Sequence, residues 1–399
     1  MRPLEGRRIW FVGIGGAGLS AYAVLARAWG AEVAGWDRTE TPYLAGVRES
    51  GVPVTIAAEP VAAPGGWEAV VSTAFAGRVE GRSRADFLRE LVGLQRAIVV
   101  AGAHGKSTTA GMIAFVLGRL GLDPSFLIGA EIPQLGGNAG AGEGWLVVEG
   151  DESDRTVFQL PAEIAVVTNV DLDHHTAFAS VAELERLFVD WVAGVPHVVW
   201  GRDLAPVELE LTLAGHHNRL NAACALAALE LAGVSRAEAA PVLAEFRGAG
   251  RRLESHGEAG GVRLLDDYGH HPAEIAATLA AARGLADGGR LLVLFQPHLY
   301  SRTLHLAREL AEALAAADLA VVTDVYRARE EPLPGVDGKL VVDHLTETRP
   351  GMPVGWGPSL EDAALVLAAQ ARPGDVALTI GAGDVDRALS LLRERLGPR

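Results

Sequence analysis

The chain is nearly without cysteine and lysine. A single cysteine, Cys224, in 399 residues excludes an internal disulfide framework and fits a reducing compartment. It lies in an alanine-rich stretch that reads as a helix, where a packed, inert thiol is the expectation. Lysine occurs only at 106 and 339, against 33 arginines, so a lysine in a motif is informative here. No apolar run approaches the ~18 residues of a membrane span, so no membrane insertion is expected. The opening Met-Arg-Pro-Leu-Glu-Gly-Arg-Arg runs into the first apolar strand without space for a secretion signal, which sets the expectation of a cytoplasmic protein. A net charge of -15 argues against a general nucleic-acid binder.

What is present is glycine at the ends of strands. Val99-Val-Ala-Gly-Ala-His-Gly-Lys-Ser-Thr-Thr109 is an apolar strand that enters a glycine turn and then opens a helix with a lysine and hydroxyls. This is the pattern of a nucleoside-triphosphate cradle. Gly102 and Gly105 let backbone N–H groups face phosphate oxygens, with Ala103 and His104 between them. Lys106 reaches the β and γ phosphates, and Ser107, followed by Thr108, offers a hydroxyl to Mg2+. The helix dipole adds positive potential at the same place. The spacing Gly-x-x-Gly-Lys-Ser is shorter than the general phosphate-loop pattern.

A second glycine signal stands at the amino terminus. In Ile9-Trp-Phe-Val-Gly-Ile-Gly-Gly-Ala-Gly-Leu-Ser20, Gly13, Gly15 and Gly18 match Gly-x-Gly-x-x-Gly directly after a strand, with Gly16 inside the turn. The next strand ends at Asp37, about where a dinucleotide fold places its ribose-binding acid. Taken alone, this loop fits a nicotinamide or flavin enzyme as well as any other nucleotide binder.

Strand-like and helical stretches alternate along the whole length, which predicts an α/β protein with mostly parallel sheets. Strands are expected at 7–14, 31–36 and 69–73 in a first unit, at 145–149, 164–169 and 197–200 in a second, and near 262–266, 290–295, 319–324 and 375–380 in a third. The division drawn from this is 1–97, 98–248 and 249–399, with Gly248-Ala-Gly250 as hinge.

Carboxylates and histidines gather at the ends of these strands. Glu149 ends one strand and is followed by Gly-Asp-Glu-Ser-Asp154, and a carboxylate facing a phosphate loop suits Mg2+ shared with a triphosphate. The neighbouring strand leads to Val-Asp-Leu-Asp-His174, near Glu149 and Ser107. In the third unit, Asp266, Tyr268, His270 and His271 lie at one strand-to-helix junction and His298 and Arg302 at the next. Two adjacent strand ends so rich in polar groups read as a site.

In these motifs the chain resembles the Mur ligases of peptidoglycan synthesis, and within them the members that add L-alanine to UDP-N-acetylmuramate. The resemblance covers nearly the whole chain. It rests on Phe11-Val-Gly-Ile-Gly-Gly-Ala-Gly, Gly102-Ala-His-Gly-Lys-Ser-Thr, Glu149-Gly-Asp-Glu-Ser-Asp, Val167-Thr-Asn-Val-Asp-Leu-Asp-His, His217-Asn-Arg-Leu-Asn, Asp266-Asp-Tyr-Gly-His-His-Pro and Phe295-Gln-Pro-His-Leu-Tyr-Ser-Arg-Thr.

The resemblance implies a Rossmann-like amino-terminal domain for the UDP-sugar, a P-loop central domain for ATP, and a Rossmann-like carboxyl-terminal domain for the amino acid. It makes Gly13, Gly15, Gly16, Gly18 and Asp37 a cradle for the UDP diphosphate. It implies ATP and Mg2+ held by Lys106, Ser107 and Glu149, with His174 at a second metal. It gives Asn218 to adenine, Arg252 to the phosphates, and Asp266 to the ATP ribose, and it sets Tyr268, His270, His298 and Arg302 around L-alanine.

The chain also departs from the family pattern. It is short between Val71 and Ala85 and between Trp200 and His216, Thr55–Pro60 lacks the usual Gly-His, and Leu299 stands where arginine is common. Some sister ligases use a carbamylated lysine near the metal, and no lysine lies between 106 and 339 here. Two other readings remain open at this point: a nicotinamide dehydrogenase, which leaves Lys106, Glu149 and His174 without a task, and a trimmed nucleotide-binding relative without catalysis.

Overall fold

The computed structural model describes residues 2–171, 177–213, 215–328 and 330–397. Three sheets carry the architecture. The first is wholly parallel, in the order β3-β2-β1-β4-β5, from β1 (Arg8–Val12), β2 (Glu32–Asp37), β3 (Val54–Ile56), β4 (Glu68–Val71) and β5 (Arg82–Ser83). The second has the order β11-β10-β6-β9-β7-β8. It is built from β6 (Ala97–Ala101), β7 (Ser125–Ile132), β8 (Gly137–Gly140), β9 (Leu146–Glu149), β10 (Ile164–Val167) and β11 (His197–Trp200). The third runs β12-β13-β17-β14-β15-β16, from β12 (Glu254–Ala259), β13 (Val262–Asp267), β14 (Leu291–Phe295), β15 (Leu319–Val322), β16 (Val354–Trp356) and β17 (Val376–Ile380). The first two sheets lie in one compact unit that also includes residues 217–249, and the third forms a second unit from Gly250 onward.

Each sheet is doubly wound because its central strands are apolar on both faces. Ile98, Val99 and Val100 of β6 are fully buried, as are Leu292, Val293 and Leu294 of β14. Such runs need helices on both sides. The third sheet accordingly has two apolar clusters, one around Val293, Phe295, Leu310 and Leu345, the other around Leu292, Leu294, Leu367 and Leu392. The predicted strands are present but end earlier. The runs predicted to 14, 73, 169 and 324 stop at Val12, Val71, Val167 and Val322, and the residues beyond them form loops at the carboxyl edge.

Two edge hairpins were absent from the sequence-based expectation, β7 with β8 and β12 with β13, both antiparallel. Strand β8 is Gly-Asn-Ala-Gly, which has no strand-forming side chain to announce it. Its partner supplies the packing: a Cβ on Gly140 would stand 2.3 Å from the Phe126 ring. Strand β12, Glu-Ser-His-Gly-Glu-Ala, is a polar sheet edge.

Candidate functional site

The phosphate loop leaves β6 at Ala101 and enters the helix Lys106–Arg119. Two of its residues take conformations that only glycine adopts without strain, Gly102 at φ +124° and Gly105 at φ +78°. Space is closed as well: a Cβ on Gly102 would lie 2.3 Å from Thr168 Oγ1, and one on Gly105 would lie 2.2 Å from Asn221 Oδ1. The turn between them is held from β10. His104 N donates to Asn169 Oδ1 (2.9 Å), while His104 O accepts from Thr168 Oγ1 (2.7 Å) and Asn169 Nδ2 (2.9 Å). The His104 ring also approaches Asp171, Nε2 to Oδ2 3.5 Å.

Lys106 does not point into solvent. Its Nζ donates to the carbonyls of Gly102 (2.7 Å) and Ala103 (3.1 Å) and lies 3.1 Å from Glu152 Oε2. The Glu152 side chain is only 2% exposed. Burial works against the lysine charge, yet Glu152, Asp151 and Glu149 outweigh it and hold the ammonium firmly protonated. Burial dominates at Glu152 and, joined by Asp151, pushes it up to about 7 against the pull of Lys106. Desolvation works against the Asp151 charge too, but Lys106 and the Ser153 hydrogen bonds keep it below its ordinary value. Ser107, Thr108 and Thr109 are buried at the helix start. Glu149 ends the adjacent strand β9, where its Oε2 accepts from Gly129 N at 2.6 Å. His174 lies outside the described residues. Asn218 and Asn221 share the helix His216–Leu231 and are linked, Asn221 Nδ2 to Asn218 Oδ1 3.3 Å.

The amino-terminal glycine loop has its own scaffold. Asp37 accepts from Gly15 N (2.7 Å) and Arg38 N (2.7 Å), so this carboxylate is turned onto the loop itself. Thr41 Oγ1 donates to Gly15 O at 2.8 Å. Arg84, the first residue of the helix Arg84–Gly93, comes against Gly18 from above: a Cβ there would be 2.7 Å from Arg84 Nη1.

In the second unit the polar residues lie at the carboxyl ends of β13, β14, β15 and β17. Four rings form a continuous row, with centroid separations of 5.6 Å from Tyr268 to His270, 5.7 Å from His270 to His298 and 5.8 Å from His298 to Tyr326, the last pair stacked. Arg302 is 4% exposed and its Nη1 donates to His298 Nδ1 at 2.9 Å. Leu299, between them, sits at φ +69°, held where Leu299 N donates to Tyr326 O. Arg252 stands over the Tyr268 ring and 3.5 Å from Glu274. Asp266 is fully buried and engaged by Arg251 Nε (2.7 Å) and Thr379 Oγ1 (2.5 Å). Its neighbour Asp267 accepts from Gly269 N, Leu253 N and Thr278 Oγ1, and burial pushes it up to about 6.

The sequence reading thus brought Lys106, Ser107 and the glycines to one loop and Tyr268, His270, His298 and Arg302 to one sheet edge. It passed over Glu152, Thr168, Asn169 and Asn221, although all four stand inside motifs it quoted, and it passed over Arg84 and Tyr326. In the quoted Glu149-Gly-Asp-Glu-Ser-Asp154, a second glutamate three residues after the first was the available signal for Glu152.

Comparison with known proteins gives this arrangement a family. Residues 8–96 match the model of the Mur ligase family, catalytic domain, and residues 251–383 that of the Mur ligase, glutamate ligase domain. The UDP-N-acetylmuramate--L-alanine ligase of Rubrobacter xylanophilus is 38% identical over 447 residues, covering 98% of this chain and 100% of its own. The chain belongs to the Mur ligase family. This Mur ligase is also 38% identical to the UDP-N-acetylmuramate--L-alanine ligase of Streptomyces coelicolor, over 96% of both chains. Among solved structures, the UDP-N-acetylmuramate-alanine ligase of Thermotoga maritima superposes with a TM-score of 0.81 at 26% identity, covering 97% of this chain and 98% of the other. A murein peptide ligase of Psychrobacter arcticus shares the fold at 23% identity with a TM-score of 0.68, over 98% of this chain and 99% of its own.

Proposed function

We propose that this Mur ligase joins L-alanine to the carboxylate of UDP-N-acetylmuramate with hydrolysis of ATP to ADP and phosphate, in cytoplasmic assembly of peptidoglycan precursors. The observation that carries the reading is the full-length likeness to relatives bearing that activity in their names. The residues of each site agree with it. Among the described residues no helix is long and apolar enough to cross a membrane.

The chemistry divides over the three parts proposed, 1–97 for the sugar nucleotide, 98–248 for ATP and 249–399 for the amino acid. Joining a carboxylate to an amine is uphill in water. The carboxylate oxygen therefore takes the γ-phosphoryl group, ADP leaves, and the amine of L-alanine then displaces phosphate from the acyl carbon. The first step brings two anions together, and preorganised positive charge lowers its barrier. Lys106 supplies that charge when its ammonium transfers from Glu152 and the loop carbonyls to the β and γ phosphates.

The donor set fits Mg2+, since Ser107 and Glu149 offer hard oxygen ligands at neighbouring strand ends and the glycines leave the cradle open to phosphate. Bound there, Mg2+ supplies charge neutralisation for the phosphates. In this reading Asn218 contacts adenine, Arg252 the phosphates, and Asp266 serves the ribose end while holding Arg251. Arg302 takes the L-alanine carboxylate, and the His298, His270 and Tyr268 rings wall the amino-acid site. His174 is the proposed ligand of a second metal.

The dehydrogenase alternative loses its main support in Asp37, which holds the Gly15 amide in the free protein. The test is phosphate release from ATP, with UDP-N-acetylmuramate present and each amino acid added singly. Release that depends on L-alanine supports the reading; release without amino-acid dependence, or none, overturns it.

A further inference from the structure

Arg84 belongs to neither nucleotide loop in sequence, yet it stands between them. Ser83 caps its helix, with Asp86 N donating to Ser83 Oγ at 3.0 Å, and this sets Arg84 in the first turn. The Arg84 side chain is 20% exposed. Nη1 rests against Gly18, at the amino end of the helix Ala17–Ala28. Nη2 donates to Asp154 Oδ2 at 2.7 Å, at the end of the acidic loop that holds Lys106 through Glu152. Nε is buried and has no hydrogen-bond partner among the described residues. A guanidinium has five N–H donors in a fixed fork, and one carboxylate oxygen leaves this one largely unsatisfied.

The surroundings are those of an anion site held shut by a carboxylate. A helix start and glycine amides already favour negative charge at this point. Burial works against the Arg84 charge and the carboxylates of Asp154 and Asp151 support it, while the Tyr22 hydroxyl lies one helical turn beyond Gly18. Burial and these carboxylates push the Tyr22 phenol up to about 12, so it is a neutral hydroxyl at working pH.

We propose that Arg84 is a diphosphate-binding residue of the sugar-nucleotide site, and that Asp154 occupies it in the free protein and is displaced when the nucleotide binds. The inference rests on the reading of Gly13–Gly18 as the UDP cradle. The exchange replaces one single-oxygen contact with a group able to take two parallel N–H bonds, the pairing arginine favours with phosphate. It also frees Asp154, two residues from Glu152.

The experiment is isothermal titration of the full-length protein with UDP-N-acetylmuramate and, separately, with UDP, using wild type, Arg84→Ala, Arg84→Lys and Asp154→Asn. Arg84→Ala should weaken both ligands by the same factor, roughly 10- to 100-fold, the size of a charge-assisted hydrogen bond lost. Arg84→Lys should recover part of the loss. Asp154→Asn keeps the Oδ1 that accepts from Thr156 N, and it should tighten both ligands, because the competing charge is gone.

If the wild type binds neither ligand, the functional reading itself fails. If the wild type binds and Arg84→Ala binds equally well, only the assignment of Arg84 fails. Loss confined to UDP-N-acetylmuramate would move Arg84 to the sugar's carboxylate and overturn the diphosphate assignment. Equal weakening by Arg84→Ala and Asp154→Asn would reduce the pair to a structural tie and overturn the exchange.

Discussion

Lys106 Nζ lies 3.1 Å from Glu152 Oε2, so the ammonium expected on ATP phosphates is held by a buried carboxylate in the free protein. Removing either partner therefore does two things at once, one to chemistry and one to stability.

Lys106→Ala should lower ligase turnover by at least about 10^2-fold, the scale of losing one preorganised charge stabiliser. It also strands Glu152. The variant should be destabilised by about 3 kcal/mol or more at a pH high enough to keep Glu152 ionised and by less as pH falls, because without the pull of Lys106 the Glu152 carboxyl rises above about 7 and takes up a proton. Adding Glu152→Gln should restore stability without restoring turnover. Urea denaturation followed by tryptophan fluorescence, beside a phosphate-release assay, separates the two effects. Near-normal turnover of Lys106→Ala would remove the loop from the ATP site.

Arg302→Ala should act on L-alanine alone. The carboxylate it is assigned does not react, so the loss belongs in the apparent affinity for L-alanine, with that for ATP hardly moved. Because Leu299 offers no second cation, the cost should fall in the range of about 2 to 5 kcal/mol seen when a buried charged pair is cut. Steady-state kinetics varying each substrate in turn decides it, and an unchanged KM for L-alanine would place the amino acid elsewhere.

The buried Asp267 makes stability depend on pH in a stated direction. Its folded-state value, about 6, is above the ordinary 3.8. A raised value means the folded protein holds the proton more tightly, so this contribution is complete below pH 3.8 and lost as pH rises through 6. Relative to Asp267→Asn, which does not titrate, the wild type should lose about 2 kcal/mol between pH 4 and 7. Parallel urea titrations across that range measure the gap, and a gap constant with pH would contradict the assignment.

Activity should be independent of bicarbonate. A carbamylated lysine cannot form near the metal, since the only lysine besides Lys106 is Lys339, which stacks on Trp356 at 4.0 Å. Assays in carbon-dioxide-depleted buffer should match those with added bicarbonate; a reversible loss rescued by bicarbonate would sink this prediction.

The legible parts of the site were those where glycine interrupts an apolar strand, because a turn at a parallel strand's carboxyl end leaves few conformations open. Gly102 and Gly105 announced the cradle in that way, and Glu149 announced its partner strand. Glu152 stood in a legible motif, but its direction was not legible, since that depends on two turns made by side chains, Asp151 Oδ1 accepting from Ser153 N and Asp154 Oδ1 accepting from Thr156 N. Neither leaves a hydrophobic period. Asp37 was read as a ribose ligand from spacing alone, and spacing does not say that the nearer amide of Gly15 takes it. Arg84 is separated from Gly18 by 66 residues and from Asp154 by 70, so only the folded chain brings the three together. Strand β8 escaped notice because its fit comes from Phe126, a residue of another strand.

The phosphate loop is pinned by Thr168 and Asn169 at one strand end and crowded by Asn221 from a distant helix. Its shape is therefore set when the chain folds, and the entropy of ordering it is lost then rather than at each encounter with nucleotide. On the proposed function, capture of ATP is then a docking event on a ready surface, followed by one local move of the Lys106 ammonium. In rapid mixing, nucleotide association should follow a single concentration-dependent phase, with no slow step of loop assembly behind it.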